Sequence, residues 1–430
     1  MNRNELERLS KDELIDLVLR MQRPGKTSAT SSKPPSSDAK ANLSSSKPGG
    51  AKPGHEGHFR EAATAADVTV DYRPEICPHC AGRLGAELAA DEVRVFEAVD
   101  LPEAKPVVTW HRRLQVRCPH CQGQALGPLP EAAGRSLFGP RLAGLAVYLK
   151  TFQHFSYERL RLFMSDVFGL RISEGGLMNL MKRGALAFTP GAQAALAKLR
   201  QAESIASDET GVRIEGRNGH HWVFASGQAV VHQAAMSRGA KVVREVLQGR
   251  KPAFWLSDRY SAQQGHGLRQ QTCLAHIARH IAYGLEASQD MAPLRLKLWL
   301  DKVFALAASA QGLKPANLAR RRRKLDSDLA LILKAGSTCP IARQLLAKIA
   351  NARNQLFTFC DAPGRIAVTN NQCERLLRPA VIHRKVTNGY RSAWAAQMEA
   401  MARTATDTAA LCGKPRFETI LAAFSRPAPS

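Results

Sequence analysis

The sequence predicts a multidomain α+β protein: a small cysteine-rich β module, a helical region, and a mixed α/β domain interrupted by more helices. Three observations carry that expectation. Four of the nine cysteines stand in two copies of one unit, Cys77-Pro-His-Cys80 and Cys118-Pro-His-Cys121. From Phe138 apolar residues recur at helical spacing, as in RLAGLAVYLKTFQHF. From Ser204 the period shortens to that of strands, in the order β-β-β-α-β, before a long helical stretch.

Charge narrows the function. Lys and Arg number 61 against 37 Asp and Glu, a net charge of +24. So basic a balance points away from ordinary small-molecule metabolism and toward a polyanion, in the first place double-stranded DNA. No apolar run approaches the roughly 20 residues that span a bilayer, and the charged start lacks the apolar region of a secretory signal. The odd cysteine count does not read as a disulfide framework. The expected location is a reducing cytoplasm, and no membrane partner is expected.

The elements follow in order. Ser10 to Glu13 forms a capping box ahead of Leu14, Leu17, Val18 and Met21, which predicts a short amphipathic helix over 1–22. Residues 23–60 are rich in Ser, Pro, Gly and Lys with almost nothing apolar, the composition of a disordered basic linker. Residues 61–127 hold both Cys-x-x-Cys knuckles and β-rich runs at 93–96, 107–110 and 114–116. Two such knuckles suit a structural zinc ribbon in which Cys77, Cys80, Cys118 and Cys121 bind one Zn²⁺, with His79, His111 and His120 outside the ligand set. A dithiol redox site is the rival reading of a Cys-Pro-His-Cys run; duplication and the lack of a βαβ context favour zinc.

Residues 138–200 read as a helix-turn-helix-like DNA-binding region. One helix spans 157–168, Gly169 breaks it, and Ser173 caps a second helix over 174–183 that offers Asn179, Lys182 and Arg183 outward. Residues 201–412 form the α/β domain. Its expected strands are 205–214, 221–225, 230–235 and 253–256, with an Asn-Gly hairpin turn at 217–220. A helix over 240–248 ends at Gly249. Asp208 falls in the first strand and Asp258 just past the fourth. Helices fill about 273–360, including the basic run Arg320–Lys324. The segment TNNQCERLLRP begins a helix that Pro379 should stop, with Asn371, Glu374 and Arg378 on one face. Residues 413–430 read as a tail.

Taken in sequence, the SKPPSSD linker, the paired CPHC knuckles, the SDETG strand, WLSDRY, Cys273-Leu-Ala-His276 and TNNQCERLLRP resemble the IS66 family of insertion-sequence transposases over nearly the whole chain. The resemblance implies a ribonuclease-H-like catalytic core with a helical insertion and an acidic DDE triad, which motif by motif would be Asp208, Asp258 and Glu374. It implies two catalytic Mg²⁺ ions, since phosphodiester cleavage and strand transfer need both an activated nucleophile and a stabilised leaving oxygen. It further implies that Cys273 and His276 orient the insertion, that element ends and target DNA are the substrates, and that the chain acts as a homo-oligomer, with accessory proteins of the same element as possible helpers. Asn179, Lys182, Arg183, Arg375 and Arg378 are the expected DNA contacts. Two positions depart from the pattern: Arg259 stands where a Gly is usual before Tyr260, and Leu274 where a Trp is usual after Cys273. The alternative function is a zinc-containing DNA-binding regulator without catalysis, or a decayed copy.

Overall fold

The computed structural model describes residues 60–128 and 137–425, together with 10, 11, 14, 27, 30 and 55–57. The expected N-terminal helix and most of the expected linker lie outside the described residues. Contacts divide the chain into two compact units, Lys40–Val107 and Met1–Ala39 with Val108–Ser430. The division falls inside the expected zinc module.

In the first unit the backbone around Cys77 closes a tight knuckle beside a bridge between Ile76 and Arg83. The strand expected at 93–96 does not form; Val93 and Phe96 stay exposed, with no core against which a pleated face can be buried. The second unit opens with an antiparallel hairpin of β1 (Gln115–Arg117) and β2 (Gln124–Leu126), which brackets the second knuckle. The run at 107–110 is likewise not a strand.

Three helices follow: α1 (Pro140–Thr151), α2 (Tyr157–Phe168) and α3 (Glu174–Gln201). Their local signals act as the sequence suggests. Ser156 and Ser173 each accept a backbone N–H in the first turn, and Gly169 ends α2 in the left-handed region at φ 64°. However, α3 runs 28 residues rather than stopping near Arg183. Its first half packs with Leu160 and Met164 of α2, while Ala195 and Leu199 near its end belong to the core beneath the sheet.

The sheet contains β3 (Ser204–Ile214), β4 (Arg217–Ala225), β5 (Val230–Ala235), β6 (Phe254–Ser257) and β7 (Arg269–Thr272), in the spatial order β5-β4-β3-β6-β7. β3, β4 and β5 are antiparallel neighbours, whereas β6 lies parallel to β3 and β7 parallel to β6. The hairpin between β3 and β4 turns at Glu215-Gly216, not at Asn218-Gly219. Both turn residues have positive φ, 53° and 74°, as a two-residue hairpin loop requires. Gly219 instead sits within β4, where a Cβ would come within 2.8 Å of the Ile214 side chain. The Asn-Gly signal is therefore a close-approach glycine three residues past the turn.

Helix α4 (Ala240–Leu247) links β5 to β6 and packs its valines with Trp222, Phe224 and Trp255 on one sheet face. The insertion consists of α5 (Leu274–Ala287), α6 (Met291–Ser309), α7 (Pro315–Ala335) and α8 (Pro340–Ala352). It has its own core around Leu296, Trp299, Val303, Leu329 and Ile349. The chain then returns through α9 (Asn371–Thr387), α10 (Ala393–Ala410) and α11 (Arg416–Phe424). Helix α9 does not stop at Pro379. Burial of Leu377, Ala380 and His383 along one face outweighs the roughly 3 kcal/mol that an internal proline costs. The expected C-terminal tail contains α11, whose Ile420 is buried against α1, α3 and α10. Among the described residues no helix is long and apolar enough to cross a membrane.

Candidate active site

Asp208 lies in the middle of β3, and the parallel register of β3 with β6 ends at the pair Ala206–Leu256. Two residues further along both chains, Asp208 and Asp258 stand level at the neighbouring ends of this pair. Glu374 comes from the first turn of α9, which crosses β3 and β4 with Cys373 and Leu377 against Ala206, Val223 and Ala225. Residue 370 sets that crossing: Asn370 donates its Nδ2 to the Ser207 carbonyl (2.8 Å) and its backbone N–H to the Cys273 Sγ (3.1 Å). Cys273 in turn donates its N–H to the Ser257 carbonyl at 2.9 Å. One knot of hydrogen bonds thus joins the residues directly before Asp208 and Asp258 to the start of α9 and the start of the insertion.

The three acids have different surroundings. Asp208 keeps some accessible surface but is packed on nearly every side. Burial, then the neighbouring carboxylates of Glu209 and Asp258, push it well above the usual carboxylate range. Its Oδ1 accepts the Glu209 N–H at 2.9 Å. Asp258 caps its own loop by accepting the Tyr260 N–H at 2.9 Å, while its carbonyl takes bonds from Ser257 and Gln264. Glu374 is engaged by Arg279 of α5, Nη1 and Nη2 each 3.1 Å from a different carboxylate oxygen. His276, one turn earlier on α5, lies 4.0 Å from Glu374 and 3.4 Å from Arg279.

Among the described residues no three His, Cys, Asp or Glu side chains are gathered closely enough to hold a metal ion. At the acidic site Glu374 is instead paired with Arg279 of α5. The donor set still suits Mg²⁺. It is all carboxylate oxygen, and crowding of ionisable acids around a buried Asp208 is a charge imbalance that a cation relieves.

Each cysteine knuckle is built the same way. Cys77 N–H donates to Gly82 and Ala81 N–H to Cys77; Cys118 N–H donates to Gly123 and Gln122 N–H to Cys118, all at 2.8–2.9 Å. Ala81 and Gln122 adopt the left-handed region at φ 57° and 58°. The backbone N–H groups of His79 and Cys80 lower the Cys77 thiol, and those of Cys121 and His120 lower Cys118. Amides pointed at sulfur favour thiolate, the form that ligates zinc. Cys77 and Cys80 belong to one compact unit and Cys118 and Cys121 to the other.

Residues 135–398 match the family model for the transposase IS66 family, and residues 74–122 match the zinc-finger binding domain of transposase IS66. The chain belongs to the IS66 transposase family. No curated protein matches it significantly.

For this IS66-family chain the remaining candidate residues fall as follows. Asn179 and Lys182 are exposed on α3, with the Lys182 ammonium 5.5 Å from the ring centre of Trp394, and Arg183 is half-buried. Arg375 and Arg378 are exposed on the outer side of α9. Cys273 is buried, and His276 lies against the Glu374–Arg279 pair. The sequence reading missed two partners. Arg279 continues the Cys273, His276 spacing by one more turn of three, a signal that was available. Asn370 stood in the quoted motif without a role. Glu209 points to the face opposite Asp208, where Arg238 (2.8 Å) and Gln263 (2.6 Å) hold its buried carboxylate.

Proposed function

We propose that this IS66-family transposase binds the ends of its insertion sequence and cuts and joins DNA with Asp208, Asp258 and Glu374 as a metal-holding DDE triad. The observation that supports this most is the level placing of Asp208 on β3 and Asp258 just past the end of the adjacent parallel strand β6, with Glu374 entering from α9, which crosses β3 and β4. The strand order β5-β4-β3-β6-β7 supports reading the core as ribonuclease-H-like. In this reading Asp208, which lies near both Asp258 and Glu374, would hold the metal together with them. Mg²⁺ bound there would activate the attacking oxygen and stabilise the leaving one.

The chain's own residues supply the rest. The Asn370–Ser207 and Cys273–Ser257 bonds hold the carboxylates at fixed relative heights. The exposed Lys182, Arg375 and Arg378, with the half-buried Arg183, meet phosphates, and Asn179 is offered to base edges from α3 in the manner of a helix-turn-helix. Cys77, Cys80, Cys118 and Cys121 together hold one structural Zn²⁺, which would stabilise a module with few buried apolar residues of its own. Such a protein works on the nucleoid, as an oligomer that brings two ends together.

Cleavage of a labelled element end by the purified protein tests the reading. Single-strand nicks at the element boundary with Mg²⁺, absent with EDTA, are expected. Tight, salt-dependent end binding without any cleavage would leave a DNA-binding regulator in its place. Zinc is tested separately: one equivalent per chain is expected, lost in Cys118→Ser.

A further inference from the structure

Among the described contacts Arg279, on the first insertion helix, hydrogen-bonds a proposed catalytic acid, and it does so with both prongs of the guanidinium fork. A bidentate Arg–carboxylate pair is a strong and directional contact. Its placement is enforced. The first turn of α5 is anchored at both flanks, by Cys273 to Ser257 and Asn370 and by the Leu274 N–H to the Val368 carbonyl at 2.9 Å. Two turns on, Arg279 meets the first turn of α9, with His276 packed beside the pair. The Nδ1 of His276 is buried without a hydrogen-bond partner, so this ring fills space along the pair rather than joining a separate network.

The charges at the site explain what such a pair does. The carboxylates of Asp208 and Asp258 accept backbone N–H groups. Arg238 is taken up by Glu209 on the far face of β3. Arg279 therefore supplies the positive charge that Glu374 would otherwise seek from a divalent ion. Side chains of Arg279 and Glu374 remain 27% and 30% exposed, so the pair borders solvent and can exchange partners without unfolding. Arg's fork fits a phosphodiester as well as it fits a carboxylate.

Resting on the triad reading above, we propose that Arg279 is a positioning residue that acts as an internal counter-cation: in the DNA-free protein it withholds Glu374 from metal, and a DNA phosphate takes Arg279 in exchange, releasing Glu374 to complete the site. Metal loading is thereby tied to DNA binding through the first helix of the insertion, and the buried cysteine of the Cys-x-x-His box is what fixes that helix in register.

The test is Mn²⁺ affinity of the full-length, zinc-containing protein, followed by electron paramagnetic resonance without DNA and then with an uncleavable end oligonucleotide. Arg279→Gln should bind Mn²⁺ roughly tenfold more tightly than wild type without DNA, the scale of a half-exposed bidentate pair. DNA should tighten Mn²⁺ binding in wild type by a similar factor and leave Arg279→Gln unchanged. Arg279→Lys, which keeps the charge but loses the fork, should fall between them and serves if the Gln variant folds poorly. Equal Mn²⁺ affinity of wild type, Arg279→Gln and Arg279→Lys without DNA overturns the exchange while leaving the triad standing. Asp208→Asn in the same assay separates the two ideas: unaltered Mn²⁺ binding there would overturn the triad itself.

Discussion

Two groups of buried acids share one face of the sheet, and their electrostatics are opposite. Asp208 on β3, Val223 on β4 and His232 on β5 form a single cross-strand row. At one end Asp208 is crowded by other carboxylates and driven well above its ordinary range by burial and by Glu209. At the other, His232 donates or shares a proton with Asp407 at 3.1 Å, and Arg416 pairs with the same carboxylate. Nearby on α10, Glu399 is paired with Arg403 at 2.8 Å and lies 3.5 Å from His383. Burial works against both acids, yet Arg403 and His383 hold Glu399 down to about 2, and His232 and Arg416 hold Asp407 down to about 2. Two strands apart on one sheet, the fold completes one set of charges and leaves another incomplete. Charges that are complete serve the fold; an incomplete set is a place for something that binds.

The largest effect that sharpens this contrast is on catalysis. Asp208→Asn should reduce Mg²⁺-dependent cleavage by about a thousandfold or more, because in the proposed triad the lost charge would retain the metal. End binding should survive, and without divalent ions the variant should be more stable to urea than wild type, since an uncompensated buried charge is gone. A loss of stability in that variant would break the comparison.

Next in size is the opposite experiment. Glu399→Gln leaves Arg403, which is 1% exposed, without its anion, and should cost about 3–5 kcal/mol in urea unfolding. Cleavage per folded molecule should change little. If Glu399→Gln instead removes cleavage from fully folded protein, the α10 cluster belongs to the active site.

The pH dependence of stability distinguishes the two clusters in one titration. Glu399 and Asp407 have depressed values, so their contribution is complete above the ordinary carboxylate range and is lost as pH falls toward about 2. His154, held by burial and Arg403 to about 4 against an ordinary 6.5, adds stability above pH 6.5 that is lost between 6.5 and 4, because the unfolded chain takes the proton first. Asp208 has the opposite sign: its protonation as pH falls through the raised value favours the folded state. Urea midpoints from pH 8 to 3 should therefore drop more steeply below pH 6.5 in Asp208→Asn than in wild type.

The smallest effect is expected at Glu209. Its carboxylate faces away from Asp208 and is satisfied by Arg238 and Gln263, so Glu209→Gln should lose about 1–3 kcal/mol of stability as a charge-assisted contact is weakened. Cleavage should stay near wild type. A collapse as deep as that of Asp208→Asn would move the catalytic face to the other side of β3.

Much of this molecule was legible before its folding was known. Ser156, Gly169 and Ser173 act within one helical turn of themselves, and the knuckle cysteines meet amides two and three residues away, so their roles could be read from short strings. The three acids were found through motif resemblance, and their elements proved to be a strand, a strand end and the first turn of a helix. Misreadings arose where distant packing overrode a local signal: Gly219 yields to the Ile214 side chain, Pro379 is carried through α9 by the sheet beneath it, and 416–424 becomes a helix because α1 and α3 offer it a groove.

By itself the sequence determined the kinds of element, their caps, the basic character of the chain and the identity of the chemically able side chains. These depend on backbone preferences and hydrogen bonds that reach no further than about four residues. Tertiary structure alone decided which acids are neutralised. The Arg279–Glu374 pair joins residues 95 apart in the chain and His232–Asp407 residues 175 apart, whereas Asp208 finds no such counter-charge among the described residues. Charge pairing at that separation depends on the distance and burial that packing produces, and no local pattern encodes either.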